Sequence, residues 1–279
     1  MIYTPAVQFP PSPISQVLLV LVILMHKHCR FIAIPPMHQP LIIRVKKGSD
    51  LSNQEIADMY AVRSHFMLLK PEVPKKKDED FFAATVKAAH QVFLFVTKTG
   101  DIKGLYVVTS CLERSTLNKK KRLVVEPEFG FILDEYQGKY LSKTVRRNAI
   151  KAFFQYPFIP KYLIGPAYPA SYLTLKKYGG KVWAWQDKAV PAHVKDVIAT
   201  YARRHNMWDD VKFTGVKSLY TLPKHINQQH LERLEKKPGY THYKNLNPQW
   251  MEGNGLITLT QLKFSTLLRQ IFKKNISAK

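Results

Sequence analysis

The stretch FGFILDEYQGKYLSKTV, Phe129–Val145, decides the fold. Its first five residues are aromatic, aliphatic or glycine and read as the end of a strand. DEYQG follows, with two acids, an amide and a glycine, and reads as a tight polar turn. LSKTVRRNAIKAFFQ then has helical spacing of its apolar residues and a strongly basic remainder, and Pro157 stops it. A strand that turns sharply into a helix leaves the first N–H groups of that helix unpaired. The positive end of the helix dipole faces the same turn. Such a junction can cradle a phosphate group. It can also be only a turn, and the residues alone leave both readings open.

Working outward, LIIRVKK (Leu41–Lys47) alternates as a strand, and SDLSNQEIADMYAVRSHFMLL reads as a helix. Ser52 and Glu55 have capping-box spacing at its start. DEDFFAATVKAAH predicts a second helix with acids at its positive end. QVFLFVTK, a TGD turn and IKGLYVVTSCLE form a predicted hairpin. RSTLNKKKR is a basic loop, and LVVEPEFGFIL is the next strand, with Pro127 at a bulge or edge. After the opening junction come a strand (KYLIGPA), a helix ended by Gly179 and Gly180, a strand (KVWAWQD) and a helix (PAHVKDVIATYARRH). GVKSLYTLP reads as a possible closing strand.

This order is strand, two helices, three strands, helix, strand, helix, strand. Together with FGFILDEYQGKYLSKTV it resembles the GNAT superfamily of N-acetyltransferases over roughly Leu41–Trp185. The family motif is Gln or Arg, two residues, Gly, one residue, then Gly or Ala. Tyr136, Gln137, Gly138, Lys139 and Leu141 match its usual wording, while Tyr140 and Ser142 stand at the two later glycine positions. The resemblance implies an α/β fold with a central mixed, mostly antiparallel sheet flanked by helices. It implies acetyl-CoA or another acyl-CoA as donor, held by Ile132, Leu133, Gln137, Gly138, Lys139, Tyr140, Leu141, Ser142 and Lys143. The acceptor would be an amine.

Glycine at such a turn lets a phosphate approach the backbone. Tyr140 and Ser142 keep their N–H groups, so the nest of donors survives the change. The alternative is a basic first turn on an inherited fold that has stopped binding cofactor. Acyl transfer to an amine needs a base, and Glu128 lies on the strand where family members place a carboxylate, with Glu126 as its neighbour of the same parity. The family takes its donor for the carbonyl oxygen from a backbone N–H of the splayed strand. A tyrosine often protonates the departing thiolate. Leu175 falls at that position here, and Tyr172, one helical turn earlier, is the candidate acid, with Tyr178 the other neighbour.

Composition bounds the partners. Lys and Arg number 43 against 20 Asp and Glu, a formal charge of +23. An anionic partner is expected: an acyl-CoA, an acidic acyl carrier protein as donor, nucleic acid or a membrane surface. The competing reading is therefore a non-catalytic module on the same fold that binds RNA, an acidic protein or a membrane. The ten histidines show no metal-ligand spacing, and no GxSxG elbow or Walker sequence occurs. Two cysteines without CxxC spacing fit a reducing compartment, and a cytoplasmic location is expected.

Three regions are expected. Residues 1–36 are an apolar leader or membrane-associating segment, because Ile14–Met25 is strongly apolar yet short of the roughly 20 residues of a span. Residues 37–223 form the acyltransferase domain, and residues 224–279 a basic C-terminal extension. Leu262, Phe264, Leu267, Leu268, Ile271 and Phe272 fall on one face of a terminal amphipathic helix.

Overall fold

Two apolar runs rich in β-branched and aromatic residues zip together around Thr97–Asp101. Thr97 donates its N–H to the Asp101 carbonyl at 3.0 Å, and Gly100 supplies the positive φ (99°) that the turn requires. The structure is a computed structural model and describes residues 40–136, 140–207, 216–217, 221–223 and 228–266. Its strands are β1 (Ile42–Lys46), β2 (Met67–Leu69), β3 (Gln91–Val96), β4 (Ile102–Arg114), β5 (Lys121–Ile132), β6 (Lys161–Ala167), β7 (Val182–Ala184), β8 (Val216–Lys217), β9 (Thr221–Pro223) and β10 (Asn254–Leu262). The helices are α1 (Asn53–Phe66), α2 (Lys75–Ala88), α3 (Tyr140–Gln155), α4 (Pro169–Gly179), α5 (Ala192–Arg204), α6 (Gln228–Glu235) and α7 (Tyr240–Leu246).

The main sheet runs β1-β3-β4-β5-β6-β10-β7, so β5 is its central strand. The pair β5 and β6 is parallel, and the other neighbours along this path are antiparallel. A parallel pair needs a crossover, and α3 supplies it. Helices cover both faces. Met59 from α1 and Phe82 and Val86 from α2 pack on Val92, Leu94, Leu105 and Val107. Farther along the same face, Val194, Ile198 and Tyr201 of α5 pack on Val124, Ile164 and Leu259. On the other face, Leu141, Val145 and Ala152 of α3 pack against Phe95, Tyr106, Val108, Leu123 and Val125.

The Ser52–Glu55 capping box is present: Glu55 N–H donates to Ser52 Oγ (3.1 Å) and Ser52 N–H to Glu55 Oε2 (2.8 Å). α1 and α2 are also joined by a buried ion pair. Arg63 donates to both oxygens of Asp78 at 2.6 and 2.9 Å, and Tyr60 Oη donates to the same carboxylate at 2.9 Å.

Four local differences from the sequence reading have physical causes. The first helix ends at Phe66, because Met67 turns extended and Met67–Leu69 pairs with β9 in a separate two-stranded sheet. GVKSLYTLP accordingly splits into β8 and β9 instead of forming one closing strand. Residues 254–262, expected within a C-terminal extension, form β10 inside the sheet between β6 and β7. Seven consecutive residues of β10, from Asn254 to Thr260, are buried. The boundary expected at residue 223 therefore falls inside a unit that spans residues 40–279. The apolar run Ile14–Met25 and most of the expected terminal helix lie outside the described residues.

Candidate active site

The ladder between β5 and β6 is short. It joins Leu123 to Lys161, Val124 to Tyr162 and Val125 to Leu163, then stops while both strands continue. Residue chemistry explains the parting. Pro127 has no N–H to donate to a ladder. Immediately after it the register against β4 slips, with Val108 opposite Pro127 and Val107 opposite Phe129. Glu128 is thus the extra residue of a β-bulge, which bends the strand and frees backbone groups from pairing. Gly165 of β6 stands across the gap, and a side chain there would come within 3.6 Å of the Pro127 carbonyl. Proline and bulge together part the two central strands into a wedge after Val125 and Leu163.

The face of the sheet under α5 carries a chain of alternating charges that ties the two together. Arg122 pairs with Asp196 and, through Nε, with Glu113 at 2.6 Å. Arg204 pairs with Glu113 Oε2 at 2.9 Å and with Glu126. His205 Nε2 donates to Glu126 Oε2 at 2.9 Å. Glu126 is 3% exposed, so its two partners supply the compensation that burial demands. Cys111 lies in the same cluster, accepting from Arg204 at 3.1 Å, and burial pushes its thiol up to about 11.

Glu128 is the exception. It is partly buried and accepts no hydrogen bond among the described residues. Burial pushes its carboxyl up from 4.5 to about 7, and the charge of Glu126 adds to the rise. His205 and Arg204 oppose it. A carboxyl that ionises near neutrality and has no competing partner can accept a proton from a ligand. Tyr201 of α5 feels the same charges: burial first, then Glu128 and Glu126, push its phenol far up.

Gln137, Gly138 and Lys139 of the expected phosphate turn lie outside the described residues, and so does the side chain of Ser142. The flanks are clear. Ile132 is buried in the α3 face of the sheet, and Leu133 N–H donates to the Lys103 carbonyl at 2.9 Å. Tyr140 begins α3, and Leu41 N–H donates to its hydroxyl at 3.1 Å. Its ring leans on Phe95, with centroids 6.4 Å apart. The ring is thus anchored toward the β1 side of the sheet. Leu141 packs into the core, and Lys143 is exposed. The first turn of α3 contains no acid.

The structure does not bring Tyr172 to Glu128. Tyr172 is 2% exposed and its ring packs on Tyr243, with centroids 5.2 Å apart. Burial, with Asp187 second, pushes its phenol up to about 12. Trp183 is core and packs with α5. The residues that sequence reasoning missed are Tyr201, Arg204 and His205. Their signal was ATYARRH, where a basic helix end follows an apolar face that must bury against the sheet.

No protein-family model matches the chain, and no curated protein matches it. Solved structures give remote likenesses. An Enterococcus faecalis protein of unknown function, described as a probable N-acyltransferase, is 14% identical at a TM-score of 0.35 over 50% of this chain and 32% of its own. A Trypanosoma brucei acetyltransferase is 18% identical at 0.37, over 54% of this chain and 99% of its own. An Escherichia coli GNAT family N-acetyltransferase in complex with CoA is 9% identical at 0.33, over 48% and 67%. The chain thus spans about a third of the Enterococcus protein. At these values the weight rests on the strand order and on the parting of β5 from β6. Those features define the architecture: a mixed, mostly antiparallel sheet between helices, whose parallel central pair parts after Val125 and Leu163.

Proposed function

We propose that this chain is an acyl-CoA-dependent N-acyltransferase that moves an acetyl or longer acyl group to an amine, with Glu128 as general base. Glu128 itself carries the reading. It is a carboxyl without a hydrogen-bond partner among the described residues, set on the bulge where β5 leaves β6, and it titrates near 7. An ammonium acceptor must lose a proton before its nitrogen can attack a carbonyl. A base that is partly ionised near neutrality does this most efficiently.

In this reading Glu128 takes the proton at a carboxylate oxygen. Glu126 stays fixed by Arg204 and His205, and its charge keeps the neighbouring carboxyl basic. Backbone N–H groups freed where the ladder ends are the available donors for a carbonyl oxygen. The acyl thioester, when bound, supplies the activated acyl group. The acid-free first turn of α3, with exposed Lys143, suits its phosphates. Tyr172 receives no role, since it is packed in the core and a thiolate leaves without a dedicated acid. Either free acyl-CoA or an acyl group on an acidic carrier protein suits the net charge of +23.

Calorimetric titration with acetyl-CoA and longer acyl-CoAs tests binding, and thiol release with a panel of amines tests transfer. Saturable binding is expected, with turnover about 100-fold lower in Glu128→Gln at unchanged donor affinity. Absence of saturable binding to any acyl-CoA overturns the reading and leaves a binding module on this fold.

A further inference from the structure

Two segments meet at the end of the sheet away from the start of α3. The β4–β5 hairpin turns there through residues 115–120. β6 runs parallel to β5, so the intervening α3 must return the chain to the same end, bringing residues 156–160 beside the hairpin. Leu123 N–H donates to the Pro160 carbonyl at 2.9 Å and closes the junction.

This end is unusually apolar for a surface. Phe158 is 95% exposed, Leu117 59%, Phe154 50% and Leu112 44%. Single exposed apolar side chains are ordinary, whereas four gathered at one end of a sheet mark a contact surface. Cations surround them. Arg114, Lys119, Lys120, Lys121 and Lys151 are exposed, and neither Arg114–Arg122 nor Lys151–Lys161 contains an acid. The acids beside them, Glu113 and Asp196, are committed to Arg122, Arg204 and the hydroxyls of Ser115 and Thr116.

The tip that presents Leu117 is held firmly. Ser115 N–H donates to the Lys120 carbonyl at 2.9 Å, and Lys119 N–H to the Ser115 carbonyl at 3.0 Å. Ser115 Oγ accepts from Leu117 N–H and donates to Asp196, which pins the tip to α5. Lys119 adopts a left-handed φ of 58°, a cost that this hydrogen-bonded turn sustains.

The chemistry selects the partner. Leucine offers nothing to a stacked base or to a phosphodiester backbone, but a hydrocarbon layer buries it. Lysines beside it then lie at the level of lipid phosphates. We propose that this end docks on an anionic lipid surface. Leu117 and Phe158 enter the boundary between headgroups and acyl chains, and Lys119, Lys120, Lys121 and Lys151 lie against phosphates. β5 leads away from this end, and Glu128 stands about 23 Å along it from Lys121, so the wedge stays in water.

Flotation of the full chain with vesicles of phosphatidylcholine, alone or mixed with phosphatidylserine, is the test. Wild type should float with the mixed vesicles and not with phosphatidylcholine alone. Lys119→Glu/Lys120→Glu/Lys121→Glu should weaken binding about 100-fold. Leu117→Ser/Phe158→Ser should weaken it about tenfold or more without altering charge. All five positions are exposed, so melting temperatures should match wild type and separate this loss from misfolding. Equal binding to both vesicle types overturns the proposal. So does binding that survives both sets of substitutions, which would belong to another segment such as Ile14–Met25. Tighter binding to single-stranded RNA that Leu117→Ser/Phe158→Ser leaves intact overturns it in favour of nucleic acid.

Discussion

Glu128→Gln should stabilise the protein in alkaline solution and leave it unchanged in acid. In the unfolded chain the carboxyl ionises near 4.5, and in the folded protein burial and Glu126 raise this to about 7. Below 4.5 the group is protonated in both states and contributes no difference. Between 4.5 and about 7 the folded state holds a proton that the unfolded state releases, so wild-type stability falls as pH rises. Above about 7 the full penalty applies. A difference of about 2.5 in pKa, at about 1.4 kcal/mol for each, makes the penalty about 3 kcal/mol. Glutamine has the same shape without the charge and escapes it. Urea unfolding of both proteins from about pH 4 to about pH 8.5 measures the effect. The curves should coincide at the acid end and separate by about 3 kcal/mol at the alkaline end, with the variant more stable. Coincident curves at every pH would mean that water solvates the carboxylate freely. The argument for a base poised near neutrality would then fail.

Arg204→Ala leaves Glu126 and Glu113 short of a partner and should destabilise the fold by about 3 kcal/mol in urea titrations, because burial makes an unpaired carboxylate costly. It should also move the pH profile of Glu128 upward, since Arg204 is one of two cations that lower its pKa. Arg63→Met should cost about 3–5 kcal/mol in the same assay, while Arg63→Met with Asp78→Leu should cost less, because the double change leaves no buried charge. Tyr140→Gly removes the hydroxyl that Leu41 N–H uses and places glycine in a helix, which should cost about 1–2 kcal/mol. Acetyl-CoA affinity in that variant should be equal or tighter by calorimetry, because the ring leans on Phe95; a tenfold weaker dissociation constant would place the ring in the binding contact.

Apart from β2, the elements from β1 to α5 were legible because each carries its own period and punctuation. Ser52 and Glu55 announce α1, Gly100 marks the β3–β4 turn, and Pro157 ends α3. The bulge was half legible: Pro127 signalled an irregular strand, but the register slip at Glu128 depends on pairing with Val107 and Val108 of another strand. β10 was missed because burial on both faces erases the alternation that marks a strand, and because its partners lie about 90 residues away. Glu128 was singled out through resemblance, whereas Arg204 and His205 were not, since their ion pairs with Glu126 form only when α5 lies across β5. Tyr172 misled because helical spacing places a side chain on a face without saying what covers that face. Here the cover is Tyr243 of α7, from a segment expected to be an extension.

The position of β10 also orders the making of the molecule. β6 and β7 are synthesised long before residues 254–262, yet neither bonds to the other; β6 has its short ladder with β5, and β7 reaches its place in the sheet only through β10. A nascent chain that has emerged only as far as α5 carries β6 with one open edge and β7 with no neighbour in the main sheet. Exposed strand edges are templates for wrong pairing. Closing the loop between β6 and β10 is a slow, long-range step. The strand that joins β6 to β7 is thus made after both, and stalling or cleavage ahead of residue 254 yields a truncated sheet with a sticky edge in place of a smaller working protein.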